Sequence, residues 1–398
     1  MSLVTTTPVR TQAFYLQGKW VQEGTPVEIR SPYDGTPLAM IFQGTADHAE
    51  RAIQSAVRAF GSTRRLPAFG AIFTFTIGAE ETTRIPGEYL SLDWQQFTSG
   101  RWGIVRRFPL GPVAGITPFN FPLNLVAHKV APAIASGCPI ILKPAPQTPL
   151  SSFLLAEAVE QAGLPDGAFN VLPLSNEDAG LLITDDRIKM ISFTGSAPVG
   201  WEIKRRAGKK KVVLELGGNA GVIVHSDADL AWAAERCVTG GFSYAGQTCI
   251  SVQRIRASEW VQEAVQDGAT LLCGGKRHGS TLEPTVLTGT RPDMKVNCQE
   301  IFAPVVTIES YDDFSLALRR INESAYGLQA GVFTRDANRI FEAYDELEVG
   351  GVIAGDVPSF RIDHMPYGGV KDSGLGREGL RYAIEEMTEP KLLVMNLR

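Results

Sequence analysis

The sequence predicts an α/β protein, with a Rossmann-like parallel-sheet domain followed by a second α/β domain. Strand-like and helix-like segments alternate from Trp102 to Gly218. A second alternation runs from Asn219 to the glycine-rich stretch PYGGVKDSGLGREG at 366–379. The 398 residues are enough for two or three sizeable cores, and no apolar run is long enough to span a bilayer.

Residues 13–42 read as short strands separated by the turn signals GKW and SPYDGTP. A helix follows, which Thr45 or Asp47 can cap, with Ala52, Ile53, Ala56, Val57 and Phe60 at helical spacing. Residues 66–100 contain the apolar GAIFTFTIG without a clear period. WGIVRRFPLGPVAGI then reads as a hairpin-like pair of strands and PIILKPA (139–145) as a buried strand. Thr148 is the expected N-cap of the next helix, with Pro149 at its first helical position and its end near Gly163. The strand AFNVLPL, a short helix at 176–183, strand 188–195, a helix from Ser196 and strand 211–218 complete the first series. Such alternation implies right-handed βαβ units and a parallel sheet, an architecture that binds dinucleotides. In the second series, helices begin near Asp227, Glu259, Asp312 and Asp336, with strands at 250–256, 303–310, 328–334 and 350–354. The closing KLLVMNLR is a strand with no partner nearby in sequence.

Composition narrows the function classes. The chain is 44% hydrophobic and 20% charged, with a net charge of −5, which disfavours nucleic acid and anionic membranes as partners. The opening MSLVTTTPVRTQ lacks a basic segment followed by an apolar one, so no secretory signal is expected. Five cysteines without a C-x-x-C pair suit a reducing cytoplasm and argue against disulfides and structural zinc. The five histidines are scattered without metal-ligand spacing and read as surface or satisfied core residues.

Cys249 stands out. Most free cysteines are small buried hydrophobes, but this one follows Gly-Gln-Thr at the junction of a helix and an expected strand. Such a junction exposes a nucleophile while holding it rigid. Glu215 lies at an apolar strand end, VVLELGG, where a carboxylate is costly unless paired or functional, and burial raises it towards general-base range. A strand-end glutamate in solvent is the alternative. Asn120, between Phe119 and Phe121 with prolines at 118 and 122, is a stiffened amide suited to an oxyanion hole or to a plain turn. Lys143 ends a parallel strand, where such sheets bind ligands. Gly195, Ser196 and Gly200 surround a helix start able to offer N–H groups to a pyrophosphate. Glu300 and Phe302 open a strand in QEIFAPV, although core packing would equally explain the phenylalanine.

Taken in order, PLGPVAGITPFNFP, LKPAPQTP, FTGSAPVG, LELGGN, GQTC, EIFAPV and PYGGVKDSGLGREG resemble the aldehyde dehydrogenase superfamily over nearly the whole chain. The closest likeness is to bacterial lactaldehyde, succinate-semialdehyde and non-phosphorylating glyceraldehyde-3-phosphate dehydrogenases. The resemblance implies Cys249 as nucleophile, Glu215 as general base, and Asn120 with the Cys249 N–H as oxyanion hole. It implies NAD or NADP held by Lys143, Pro118, Phe119, Gly195, Ser196, Gly200, Glu300 and Phe302. It further implies a cofactor domain (1–100 and 110–215), a catalytic domain (216–385), and a small β oligomerisation element (101–109 and 386–398). The expected product is a carboxylic acid, reached through a thiohemiacetal and a thioester, in a cytoplasmic homodimer or homotetramer. Arg361, beside His364 at the substrate mouth, is a candidate contact for a carboxylate, phosphate or hydroxyl on the aldehyde, or else a surface arginine.

The chain departs from the family pattern in three places. It is short around 69–70 and again at 256–257, so that 51 positions separate Cys249 from Glu300. Deletions of this size should expose core surface. The expectation is therefore that the sequence joins stretches not contiguous in the natural protein, and a Cα spacing far beyond about 3.8 Å at the junctions would mark it. Pro146 stands where NAD-preferring relatives often have a glutamate that repels a 2′-phosphate, which leaves NADP open. Transfer of the acyl group to coenzyme A and a catalytically impaired homologue are the alternatives.

Overall fold

The computed structural model describes residues 10–65, 76–251 and 257–396. Its largest element is an eight-stranded sheet in the order Gly374–Leu375, Lys211–Glu215, Met190–Thr194, Val113–Ile116, Ile140–Lys143, Phe169–Val171, Phe14–Leu16, Lys19–Val21. The five strands from Lys211–Glu215 to Phe169–Val171 are mutually parallel, and antiparallel strands close both flanks. Val113–Ile116 and Ile140–Lys143 are buried along their whole length, as expected of parallel strands covered by helices on both faces. Ile140, Ile141, Leu142, Phe153, Phe169 and Leu182 form part of the main core beneath those helices.

The carboxyl ends of the parallel strands lie along one edge, where open α/β sheets bind ligands. The first lead-out carries Pro118 to Asn120, the next strand ends in Lys143, and a third leads to Gly195 and Ser196. The fourth ends at Glu215.

Among the described residues the second region holds two three-stranded sheets and two short two-stranded ones. Val222–Val224, Gln329–Phe333 and Gly351–Ala354 are parallel. Thr270–Cys273 pairs antiparallel with Thr285–Thr288, which runs parallel to Val305–Thr307. Of the aspartates anticipated at helix starts, Asp336 caps its helix by accepting from Asn338, whereas the caps near Asp227 and Asp312 are Asp229, which accepts from the Trp232 N–H, and Asp313, which accepts from Ser315.

Several local expectations need correction. Arg101–Pro109 and Val113–Ile116 are not a hairpin, because they belong to different sheets. Arg101–Pro109 lies between Glu88–Ser91 and the terminal strand Thr388–Asn396, antiparallel to both. That supplies the distant partner the terminal strand needed. Pro149 occupies the N-cap of helix Leu150–Gln161, and the Thr148 hydroxyl donates to the Phe119 carbonyl at 3.3 Å. The threonine thus ties the helix start to the Asn120 loop. The short helix begins at Gly180. After Cys249, residues 250–251 form a turn rather than a strand. The rest of that anticipated strand lies outside the described residues, as do residues 69, 70 and 256, and with them both junctions.

Candidate active site

Helix Leu230–Phe242 leads into the turn that carries Cys249. Its backbone reverses through three consecutive left-handed residues: Tyr244 and Ala245 at φ 56° and Gly246 at φ 67°. Side-chain-bearing residues take this conformation only when their surroundings enforce it. The Tyr244 ring stacks on Phe121, centroids 4.2 Å apart and planes 15° apart. At Gly246 a Cβ would collide with the Ala303 carbonyl. The Asn120 Nδ2 donates to the Gln247 carbonyl at 3.0 Å, joining the anticipated oxyanion loop to the nucleophile turn.

Glu215 is 3% exposed, and neither carboxylate oxygen has a hydrogen-bond partner among the described residues. Burial first, then the negative charge of Glu378, pushes its pKa well above the usual carboxylate value, against the opposing pull of Arg361, Lys129 and Arg377. Gly217 and Gly218 follow because side chains would not fit: a Cβ at 217 would strike the Glu300 carboxylate and one at 218 the Cys249 carbonyl. The Gly218 N–H donates to Glu300 Oε1 at 3.2 Å. Cys249, Glu215 and Glu300 are therefore packed into one place from three separate stretches of chain.

Burial pushes the Cys249 thiol up to about 11, with Glu215 and Glu300 adding to the rise and Tyr367 and Arg361 opposing it. The Tyr367 hydroxyl is 2.9 Å from Sγ. The Arg361 guanidinium sits over the Tyr367 ring, 3.8 Å from its centroid, and donates to Glu378 at 3.2 Å. Glu378 also accepts from Lys129 at 3.0 Å, in a fully buried pair that includes the Ser192 hydroxyl. Burial works against the Glu378 charge, but Lys129, Arg361 and His128 hold its carboxyl below the usual range. His128 is itself buried and bonds Asp363 at 3.1 Å, whereas His364 is exposed.

The cofactor candidates line the carboxyl edge of the sheet. Lys143 is buried and has no ion pair among the described residues, and burial lowers its pKa. A Cβ at Gly195 would meet the Phe193 ring, and one at Gly200 the end of the Leu216 side chain. Ser196 is the N-cap of helix Ala197–Arg206, with Pro198 in its first turn. Phe119 and Phe302 meet edge to face at 5.8 Å. The buried hydroxyls of Thr117 and Thr194, on the same edge, have no partner among the described residues. An unpaired cation, free hydroxyls and an exposed helix start fit a phosphate- and ribose-bearing dinucleotide. Pro146 lies in a shallow, mostly apolar cleft with Val27, Ile41 and Pro173.

Sequence reasoning missed Tyr367, Lys129, Glu378 and His128. Lys129 did carry a signal, as a lysine inside the apolar helix NLVAHKVAPAIAS.

The model of the aldehyde dehydrogenase family matches residues 69–259 and 253–393. The chain is 38% identical to a 3-sulfolactaldehyde dehydrogenase of Priestia megaterium over 473 aligned positions, covering 98% of this chain and 99% of the relative. That alignment is longer than the chain, so the relative has residues with no counterpart here. The two matched stretches of the family model meet at 253–259 and the first begins at 69, which are the two short places. Aldehyde dehydrogenase 21 from Physcomitrella patens, solved with the product succinate, superposes with a TM-score of 0.94 at 38% identity, covering 98% of this chain and 99% of that one. The NADP complex of a glyceraldehyde-3-phosphate dehydrogenase from Bacillus halodurans gives 0.90 at 31% identity, covering 98% and 100%. The chain belongs to the aldehyde dehydrogenase family and is an NAD(P)-dependent enzyme that oxidises aldehydes to carboxylic acids.

Proposed function

We propose that Cys249, Glu215 and Asn120 carry this oxidation, on a short aldehyde bearing an anionic group. The observation that carries the assignment is Glu215: a buried carboxyl without a hydrogen-bond partner, electrostatically coupled to the Cys249 thiol. Such a group is costly to the fold and useful as a base.

Cys249 gives its thiol proton to water, the resulting thiolate attacks the aldehyde carbon, and the carbonyl oxygen becomes an oxyanion. Asn120 has two N–H donors; one is on the Gln247 carbonyl, and the second remains for the oxyanion beside the Cys249 N–H. The bound nicotinamide supplies the hydride acceptor. Once the thioester has formed, Glu215 removes a proton from water, the hydroxide attacks the thioester carbon, and the carbon–sulfur bond breaks to release acid and thiolate. Lys143, Ser196 and the N–H groups near Gly195 and Gly200 would hold ribose and pyrophosphate. Glu300, Phe302, Pro118 and Phe119 would hold the nicotinamide half.

The anionic substrate follows from charge. Arg361 and Lys129 share one carboxylate, Glu378. Arg361 Nε is buried with no partner among the described residues. A carboxylate, sulfonate or phosphate would satisfy it. The names of the relatives support this, since sulfolactaldehyde and succinate both carry an anionic group.

The same reading assigns 1–100 and 110–215 to the cofactor domain, 216–385 to the catalytic domain, and 101–109 with 386–398 to joining subunits. Leu392, Leu393 and Val394 are exposed on an edge strand, with Tyr89, Trp94 and Phe97 exposed nearby in the chain leading to its sheet. A homodimer or homotetramer would cover them. Five unbonded cysteines support a cytoplasmic setting. Among the described residues, no helix is long and apolar enough to cross a membrane.

The test is absorbance of reduced cofactor with purified protein, NAD or NADP, and a panel of neutral and acidic short aldehydes, with Cys249→Ser as control. Aldehyde-dependent signal lost in the variant supports the assignment. Acyl-coenzyme A in place of free acid would point to thioester transfer. A folded, cofactor-binding protein silent on every aldehyde would point to an impaired homologue.

A further inference from the structure

The GQTC turn and the PYGG loop lie 118 positions apart in sequence, yet they place the Tyr367 phenol 2.9 Å from the Cys249 sulfur. Tyr367 is 3% exposed, in a loop fixed by its backbone bridge to Glu378. Its ring is clamped from above by Arg361 at 3.8 Å, and Glu378 holds that guanidinium in turn. The phenol therefore points at the nucleophile by construction.

We propose that Tyr367 is a catalytic residue of this enzyme, whose hydroxyl donates a hydrogen bond to the Cys249 sulfur and stabilises the thiolate as it forms for attack. The charged groups facing the sulfur are Arg361, Glu215 and Glu300, and the two carboxylates disfavour the thiolate. Arg361 favours it, and a hydrogen bond to the charged form adds to that. Burial and the neighbouring Cys249 push the Tyr367 phenol well above its ordinary value, so it keeps its own proton and acts as the donor towards a thiolate. When sulfur attacks the aldehyde carbon, its charge passes to the carbonyl oxygen and the bond from Tyr367 weakens. No proton is transferred from the phenol at any step.

This inference rests on Cys249 being the nucleophile, and the experiment separates the two claims. Alkylation of Cys249 by iodoacetamide, followed against pH and located by mass spectrometry, reads the thiolate without substrate or cofactor. Tyr367→Phe removes only the hydroxyl and should move the alkylation midpoint up by about one pH unit, a tenfold loss of thiolate well below the midpoint. Site-specific 3-fluorotyrosine at 367, a more acidic donor of nearly the same shape, should move it down, and it keeps the test open if the phenylalanine variant fails to fold. A purely structural role would not shift the midpoint in opposite directions. Midpoints unchanged in both folded variants would overturn the proposal for Tyr367 and leave Cys249 untouched. Full aldehyde oxidation by Cys249→Ser would instead overturn the nucleophile assignment beneath it.

Discussion

Replacing Glu215 by glutamine should make the enzyme slower and more stable, each with its own pH dependence. The catalytic loss follows from the base: Gln cannot take a proton from water, so the thioester should persist. Steady-state turnover should fall by about 10²–10⁴-fold, while the first equivalent of reduced cofactor still forms as a burst. The stability gain follows from burial. The Glu215 carboxyl is raised above its ordinary value in the folded chain because water is excluded and Glu378 is near. A group raised in this way contributes fully below its unfolded pKa, and that contribution is lost as pH rises through the folded pKa. Once pH passes that folded pKa, wild type bears the cost of a charged, unpartnered carboxylate, at about 1.4 kcal/mol for each unit of the rise. Glutamine carries no such charge. Denaturation of both proteins from pH 5 to pH 8.5 should show the variant's advantage growing with pH and shrinking towards the acid end. Wild-type turnover should fall as pH drops through the same raised pKa. An advantage independent of pH, or a variant that turns over normally, would refute the reasoning.

Asn120→Ala should lower kcat by about 10²–10³-fold with little change in cofactor affinity; a normal kcat would remove Asn120 from the oxyanion site. Arg361→Ala should raise KM at least tenfold for aldehydes carrying a carboxylate, sulfonate or phosphate, with neutral aldehydes little changed; an unchanged ratio between the two classes would discard the anion contact. Lys129→Met leaves Glu378 buried with one cation fewer and should cost about 3–5 kcal/mol of stability. Adding Glu378→Gln should recover part of that loss, and additive losses in the double variant would contradict a coupled pair.

How much of this was legible in the sequence depended on distance along the chain. The parallel sheet could be read because each βαβ unit is local, and its strands PIIL and KVVLE are apolar runs bounded by turn residues. Cys249 and Asn120 could be singled out from short neighbouring motifs, and Glu215 because a carboxylate in an apolar strand end is an anomaly in itself. The hairpin expected at 101–116 failed for the opposite reason. Adjacent strands pair by default, whereas Arg101–Pro109 pairs with residues nearly 300 positions away, and no local pattern encodes that.

The same blindness hid the charge cluster. Lys129 was conspicuous in its apolar helix, but its partner Glu378 lies 249 positions on. A charge whose partner is unseen cannot be told from a surface residue. Once the pair is in place, the properties of the site become interdependent. Glu378 anchors Arg361, and Arg361 positions Tyr367 against the sulfur. Glu378 also raises the Glu215 base, while Arg361 favours the Cys249 thiolate. One buried carboxylate thus raises Glu215 and, through Arg361, indirectly supports a Cys249 thiolate, although neither group touches it through a hydrogen bond. Its loss should therefore perturb the pH dependence of both half-reactions, whereas losing Asn120 should affect only the oxyanion.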